Sequence, residues 1–214
     1  MSPQPELAHP YDVFTSAGFE IITASPHGGL APLDPKSIEM FKTDTSSVAF
    51  LEKCKAVWEN TEKLDAFLGR ADEFAALFVP GGHGPMFDLA VDEVSQKVIA
   101  EFAEKNKVVS AVCHGPAAFV GVNLAGEGGK NLLEGKEVTG FTNEEEEIMG
   151  LTKAVPFLLE DRMKEIVEAT GGRFVKAEEP WGPKVCVDGK VVTGQNPASA
   201  KGVGEAVVKL VKEA

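Results

Sequence analysis

Three observations on this 214-residue chain predict an α/β fold with a mostly parallel sheet. Short apolar runs rich in Val and Ile, bounded by Gly and Pro, recur at residues 19–24, 75–79, 108–112 and 137–140. This is the pattern of strands buried on both faces. Helical segments alternate with these runs, which implies crossover connections and helices on both sides of the sheet. No internal repeat, linker or low-complexity stretch interrupts the chain, so residues 1–214 are expected to form one domain.

The remaining elements follow in order. A first helix is expected over residues 6–16, ended by Gly18, and a second over 48–68. A third spans 92–106, and a fourth spans 157–170 before Gly171 and Gly172. Asp188-Gly189, between apolar runs at 184–187 and 190–193, signals a hairpin. Residues 198–212 close the chain as a helix. A doubly wound domain ordinarily opens on an apolar strand, yet residues 1–5 are polar and proline-rich. Either the sheet starts at Phe19, or the usual first strand is lacking and the chain is shortened before Glu6.

Composition excludes several function classes. Acidic residues (33) outnumber basic ones (21), for a formal charge of −12, and no Lys/Arg-rich stretch stands out. No nucleic-acid partner is expected. Cys54, Cys113 and Cys186 lie far apart without a C-x-x-C pair. That argues against a disulfide framework or a zinc site and fits a reducing compartment. Nothing resembles a signal peptide or a membrane span, so a soluble cytoplasmic protein without a membrane partner is expected.

Cys113 carries the chemistry. It ends the run Val108–Val112 and is followed at once by His114-Gly115-Pro116 and a helix-like stretch at 117–120. A thiol at the apex of a sharp strand-to-helix turn, with Ala111 and Gly115 two residues to either side, is a nucleophile elbow. The plain alternative is a buried structural cysteine. A helix N-terminus behind the sulfur is expected to favour thiolate.

Pro80-Gly81-Gly82-His83-Gly84-Pro85 follows a second strand, where glycines let amides approach a ligand. It is an ordinary turn if taken alone; beside the elbow, the Gly82 and His114 amides make an oxyanion donor pair. It lacks the Gly-Lys-Ser/Thr ending of a phosphate loop. Of four histidines (His9, His27, His83 and His114) none lies after the elbow, so no downstream His can serve a glutaminase-type triad. His114 is the candidate base by proximity, while His9 and His27 are read as structural. Asn143 as N-cap with Glu146 three residues into the helix gives a capping box; alternatively one carboxylate of 144–147 turns inward to orient His114. Glu6, alone, would be a solvated first-turn acid.

Taken together, Pro80–Gly84, Ala111–Pro116, Gly140–Thr142 and Val192–Ala200 resemble the ThiJ/PfpI superfamily, in its fungal heat-shock-type branch of chaperone and glyoxalase III proteins. Glu6–Tyr11 and Glu179–Trp181 resemble the same branch. The resemblance implies a flavodoxin-like three-layer sandwich, usually a homodimer, in the cytoplasm and extending to the nucleus. It implies Cys113 as nucleophile, His114 as its partner, Glu146 completing a triad, Glu6 as the proton-moving carboxylate, and Gly82 and His114 amides as the oxyanion hole. The implied reaction is glutathione-independent conversion of methylglyoxal, a small α-oxoaldehyde, to lactate, with no metal or organic cofactor. Protein deglycation through the same Cys113 is a second enzyme reading. A holding chaperone or redox thiol sensor is the reading from another class. The family's inner first strand is not found in this sequence, which predicts a core gap and unpaired backbone groups beside it.

Overall fold

The structure, a computed structural model, describes residues 4–33 and 35–213. Its main sheet has four strands in the order Ala76–Val79, Val108–Val112, Val191–Gly194, Val185–Asp188. The first three run parallel and the last pairs antiparallel. Val108–Val112 is buried at every position, which explains its mostly apolar sequence; its one polar side chain, Ser110, donates to the Leu77 carbonyl at 2.8 Å. The hairpin forms as expected, with Gly189 at φ 60° in its turn.

The helices cover the sheet. Glu93–Glu104, N-capped by the Asp92 carboxylate accepting from the Ser95 amide at 2.6 Å, packs against Val108–Val112. Ala200–Lys212 packs against Val108–Val112 and Val191–Gly194, and Gln4–Ser16 packs on Ala200–Lys212. That last contact is close because Gly204 lacks a side chain: a Cβ there would lie 3.3 Å from the Pro10 Cα and 3.3 Å from the Val13 Cβ. On another side of the first helix, Ala8 is fully buried in a small cluster with Phe50 and Trp58. His9 bonds Asp44 at 2.8 Å, and Asp44 caps Thr45–Lys53, so His9 is the structural residue expected. These contacts fix the helix that carries Glu6.

Three expected elements differ. The helix over 48–68 is instead Thr45–Lys53, Ala56–Glu59 and a short 3₁₀ turn at Leu64–Phe67. Between them Glu62–Lys63 pairs in parallel with Ala24–Ser25, and Thr61 bonds Gly29 through both backbone and hydroxyl. Tertiary pairing thus overrides a merely permissive helical sequence. The strand over 19–24 forms ladder pairs only at Ala24–Ser25. The strand over 137–140 shortens to Glu137–Val138, paired with Arg173–Phe174.

Residues 19–23 lack a ladder because an apolar cleft of about 910 Å³ lies beside them. Ile21 and Thr23 line one side, Leu77 and Val79 the other, and Phe14 and Phe102 reach it from the helices. Ala76–Val79 is therefore the sheet's edge, with backbone groups on the cleft side unpaired by any described strand. Among the described residues this cleft separates residues 19–23 from the sheet edge.

In hydrogen–deuterium exchange, the amides of Val108–Val112 should open only with global unfolding, while cleft-facing amides of Ala76–Val79 exchange much sooner. Equal protection of the two strands would show that the edge is covered in solution.

Candidate active site

The carboxyl ends of the parallel strands converge, as in other open α/β sheets. Cys113 leaves Val108–Val112 at φ 61°, a left-handed conformation that costs a non-glycine residue about 1–3 kcal/mol. Hydrogen bonds on both sides hold it there: its amide donates to Gly194 O at 2.9 Å, and its carbonyl accepts from the Phe141 amide at 3.0 Å. Small neighbours are required for a specific reason. A Cβ on Gly115 would run into the Val79 carbonyl oxygen and lie 3.3 Å from the Ala111 Cβ. Beyond the elbow the chain forms a 3₁₀ turn, Gly115–Phe119, rather than the expected α-helix start. Pro116 follows Gly115 there, and the aligned dipole of a long helix is not available behind the sulfur.

His114 does turn towards its neighbour. Its Nδ1 lies 3.4 Å from the Cys113 Sγ, and its Nε2 bonds Glu146 Oε2 at 2.6 Å. Glu146 sits in the helix Asn143–Ile148, whose cap is displaced by one residue from the expected one. Thr142 is the N-cap: its hydroxyl accepts from the Glu145 amide at 3.2 Å, while Glu145 Oε2 accepts from the Thr142 amide at 3.0 Å. The sequence contains two overlapping capping boxes, Thr142–Glu145 and Asn143–Glu146, and the extended backbone at Thr142 (ψ 156°) selects the first. Glu146 is thereby released from capping and faces His114.

Sequence reading missed His83. Its Nε2 bonds the other oxygen of Glu146 at 2.9 Å, and its ring lies 4.1 Å from that of His114. The available signal was its place directly after Gly82 in a chain with four histidines. Gly82 itself has φ 85°, and its amide, like that of His114, acts to lower the Cys113 pKa.

Glu6 is completely buried, and among the described residues neither carboxyl oxygen has a hydrogen-bond partner of good geometry. A Cβ at Gly81 would overlap both Glu6 Oε1 and the Cys113 Cβ, so carboxyl, thiol and glycine backbone are packed together. Burial pushes the Glu6 pKa up to about 8, and the Cys113 thiol opposes only part of that shift. Burial also raises the Cys113 pKa, as does the Glu6 charge beside it; the Gly82 and His114 amides pull the other way but do not prevail. The expected ready thiolate is therefore corrected: in the resting site burial outweighs the amides, and Cys113 and Glu6 compete for protons. Burial lowers the His114 pKa, with Glu146 acting to raise it and His83 to lower it. For Glu146 burial acts upward, yet hydrogen bonds from His114 and His83 outweigh it and bring the carboxyl down to about 2.

His83, His114 and Glu146 offer ligand atoms within 4.8 Å of one another, a spacing compatible with a metal ion. In the structure these groups satisfy each other through the two histidine–carboxylate bonds. The cleft of about 910 Å³ reaches Pro80 and Gly81 but does not hold the sulfur. Among the described residues, no helix is long and apolar enough to cross a membrane.

Fold and site define an α/β sandwich with a cysteine on a strand-to-turn elbow, backed by histidine and carboxylate. Residues 3–210 match the DJ-1/PfpI family, and the chain belongs to it. Glyoxalase 3 of Candida albicans is 34% identical over 214 residues, covering 95% of this chain and 86% of that protein. Glutathione-independent glyoxalase hsp3102 of Schizosaccharomyces pombe is 36% identical over 208 residues, covering 95% of this chain and 85% of that one. Among solved structures, glyoxalase III from Candida albicans superposes with a TM-score of 0.86 at 30% identity, over 98% of this chain and 87% of that one.

Two predictions concern these groups. Glu6→Gln should let Cys113 ionise at lower pH, read as faster alkylation by iodoacetamide. Because the folded pKa of Glu6 lies above its ordinary 4.5, its burial is harmless below that value and increasingly unfavourable as pH rises towards about 8. The stability of the variant relative to wild type in urea should therefore rise across that window; a flat difference would place the carboxyl in water. His83→Gln should cost about tenfold in kcat/KM by loosening Glu146. It should also move the acid limb of the pH profile upward, since His83 depresses the His114 pKa. An unmoved limb would separate His83 from the cluster.

Proposed function

We propose that the protein is a glutathione-independent glyoxalase that converts methylglyoxal to lactate through Cys113. The observation carrying this reading is the burial of Glu6 against Cys113, with its pKa raised to about 8, so that a carboxyl near neutrality lies beside a thiol. The named activities of its relatives support the same reaction.

Cys113 sulfur adds to the aldehyde carbon, its proton passing to a neighbouring base, and the carbonyl oxygen becomes an alkoxide between the Gly82 and His114 amides. Glu6, whose raised pKa keeps it protonated, gives that proton to the alkoxide, which makes a hemithioacetal and leaves Glu6 as the carboxylate. Glu6 carboxylate takes the hydrogen of the former aldehyde carbon as a proton, giving an enediol, and returns a proton to the adjacent carbon. The electron pair closes a thioester carbonyl at the first carbon as the second becomes a secondary alcohol. Water, activated by His114 in contact with Glu146, then cleaves the thioester to lactate and regenerates the thiol. A group with a pKa near the working pH exchanges protons in both directions, which suits an enediol shuttle. Glutathione is not needed because Cys113 supplies the sulfur.

Purified protein incubated with methylglyoxal in the absence of glutathione should yield one lactate per aldehyde lost over many turnovers. Cys113→Ala and Glu6→Gln should each reduce turnover by at least about a thousandfold while circular dichroism is unchanged. Full activity in Glu6→Gln would assign the proton shuttle elsewhere. Aldehyde loss without lactate from folded wild type would favour adduct chemistry at the thiol.

A further inference from the structure

We propose that Glu145 is a positioning residue that ties together the three chain segments presenting Cys113, Glu146 and an aromatic wall of the site. The proposal rests on the glyoxalase reading only for its activity readout.

Glu145 is completely buried, and its capping role occupies a single oxygen. Oε2 accepts from the Thr142 amide at 3.0 Å and the Thr142 hydroxyl at 2.8 Å. Oε1 accepts three further donors: the Trp181 amide at 3.0 Å, Gln195 Nε2 at 3.0 Å and Asn196 Nδ2 at 2.8 Å. Every one of these donors is uncharged. A helix cap needs none of the last three, and an unpaired buried carboxylate would be costly, so the second oxygen is committed to long-range ties.

Each tie leads to the site. Gln195 and Asn196 directly follow Gly194, whose carbonyl takes the Cys113 amide and helps hold the elbow. The same two side chains grip the loop that carries Trp181: Gln195 Oε1 accepts from the Ala177 amide at 2.8 Å, and Asn196 Nδ2, which also donates to Glu145, donates to Gly182 O at 2.8 Å. Trp181 is held at φ 66°, a left-handed conformation that a large side chain adopts only when its surroundings impose it. Its ring meets the edge of Phe141 at 5.7 Å, and Phe141 lies 4.3 Å from the His114 ring. On the helix, fixing Thr142 and Glu145 sets the direction of the next side chain, Glu146. The charge of Glu145 also favours the protonated form of His114.

Two variants separate reach from charge. Glu145→Gln keeps the length and removes the charge; Glu145→Asp keeps the charge and shortens the reach. Glu144→Gln, at an exposed carboxylate paired with Lys176 at 3.6 Å, is the control and should behave as wild type. For Glu145→Gln the kcat/KM for methylglyoxal should fall about a hundredfold, since small misplacements of reacting groups cost that much. Its acid limb should move to lower pH, opposite to His83→Gln. Glu145→Asp should leave that limb in place while raising KM. In a Trp58→Phe background, where Trp181 alone reports, both Glu145 variants should make the fluorescence more accessible to acrylamide. Wild-type kcat/KM and quenching in Glu145→Gln would overturn the proposal.

If the variants fail to fold, exchange on the wild-type protein decides. The Trp181 amide should be strongly protected although its residue is 37% exposed. Exchange at the rate of its loop neighbours would refute the tie. Absence of lactate from wild type would sink the glyoxalase reading and leave the fluorescence and exchange results to stand or fall by themselves.

Discussion

The site depends on how closely three backbones approach one another around Cys113. Gly81 and Gly115 occupy positions where any side chain would overlap the elbow, the Glu6 carboxyl or the preceding strand's carbonyls. With those glycines the left-handed turn at Cys113 can be held from both flanks, and the Gly82 and His114 amides can act to lower the Cys113 pKa. The strain of a non-glycine residue at positive φ is sustained because the sheet over-determines it. A thiol placed this way is closely surrounded by backbone.

Two carboxyl groups serve the site from opposite environments. Glu6 packs against the thiol with no geometric hydrogen-bond partner among the described residues, and burial favours its protonated form. Glu146, half a site away, takes a bond from each of two imidazoles and stays ionised. One is thus suited to carrying protons and the other to orienting a ring, a division set wholly by surroundings. The same burial raises the pKa of the Cys113 thiol, and the Glu6 carboxyl beside it adds to that shift.

Much of the sheet was legible because its inner strands, Val108–Val112 and Val191–Gly194, are buried at every position and are mostly apolar. The elbow was legible too, since Ala111, Cys113 and Gly115 satisfy a steric requirement visible at fixed spacing. What failed were features decided between distant segments. The long helix over 48–68 broke because residues 61–63 found partners at Gly29 and Ala24–Ser25, which no local pattern announces. The cap at Thr142 rather than Asn143 turned on one backbone angle where the sequence offers two equivalent boxes. His83 was passed over because its partner lies 63 residues away. The thiol's protonation was misjudged because burial is a property of the assembled fold, whereas the local motif shows only the amides.

The helix that carries Glu6 is held chiefly by Ala200–Lys212 and by the Phe50–Trp58 cluster. The carboxyl and the thiol therefore come from opposite ends of the folding problem. A chain emerging from the ribosome can form the elbow hydrogen bonds only after Val191–Gly194 is made, and can dock Glu6 only after the following helix appears. Closing so long a loop carries an entropy cost that local contacts cannot repay early. In the nascent chain Cys113 therefore has no Glu6 packed beside it until Ala200–Lys212 has formed, and the carboxyl–thiol pair is assembled late.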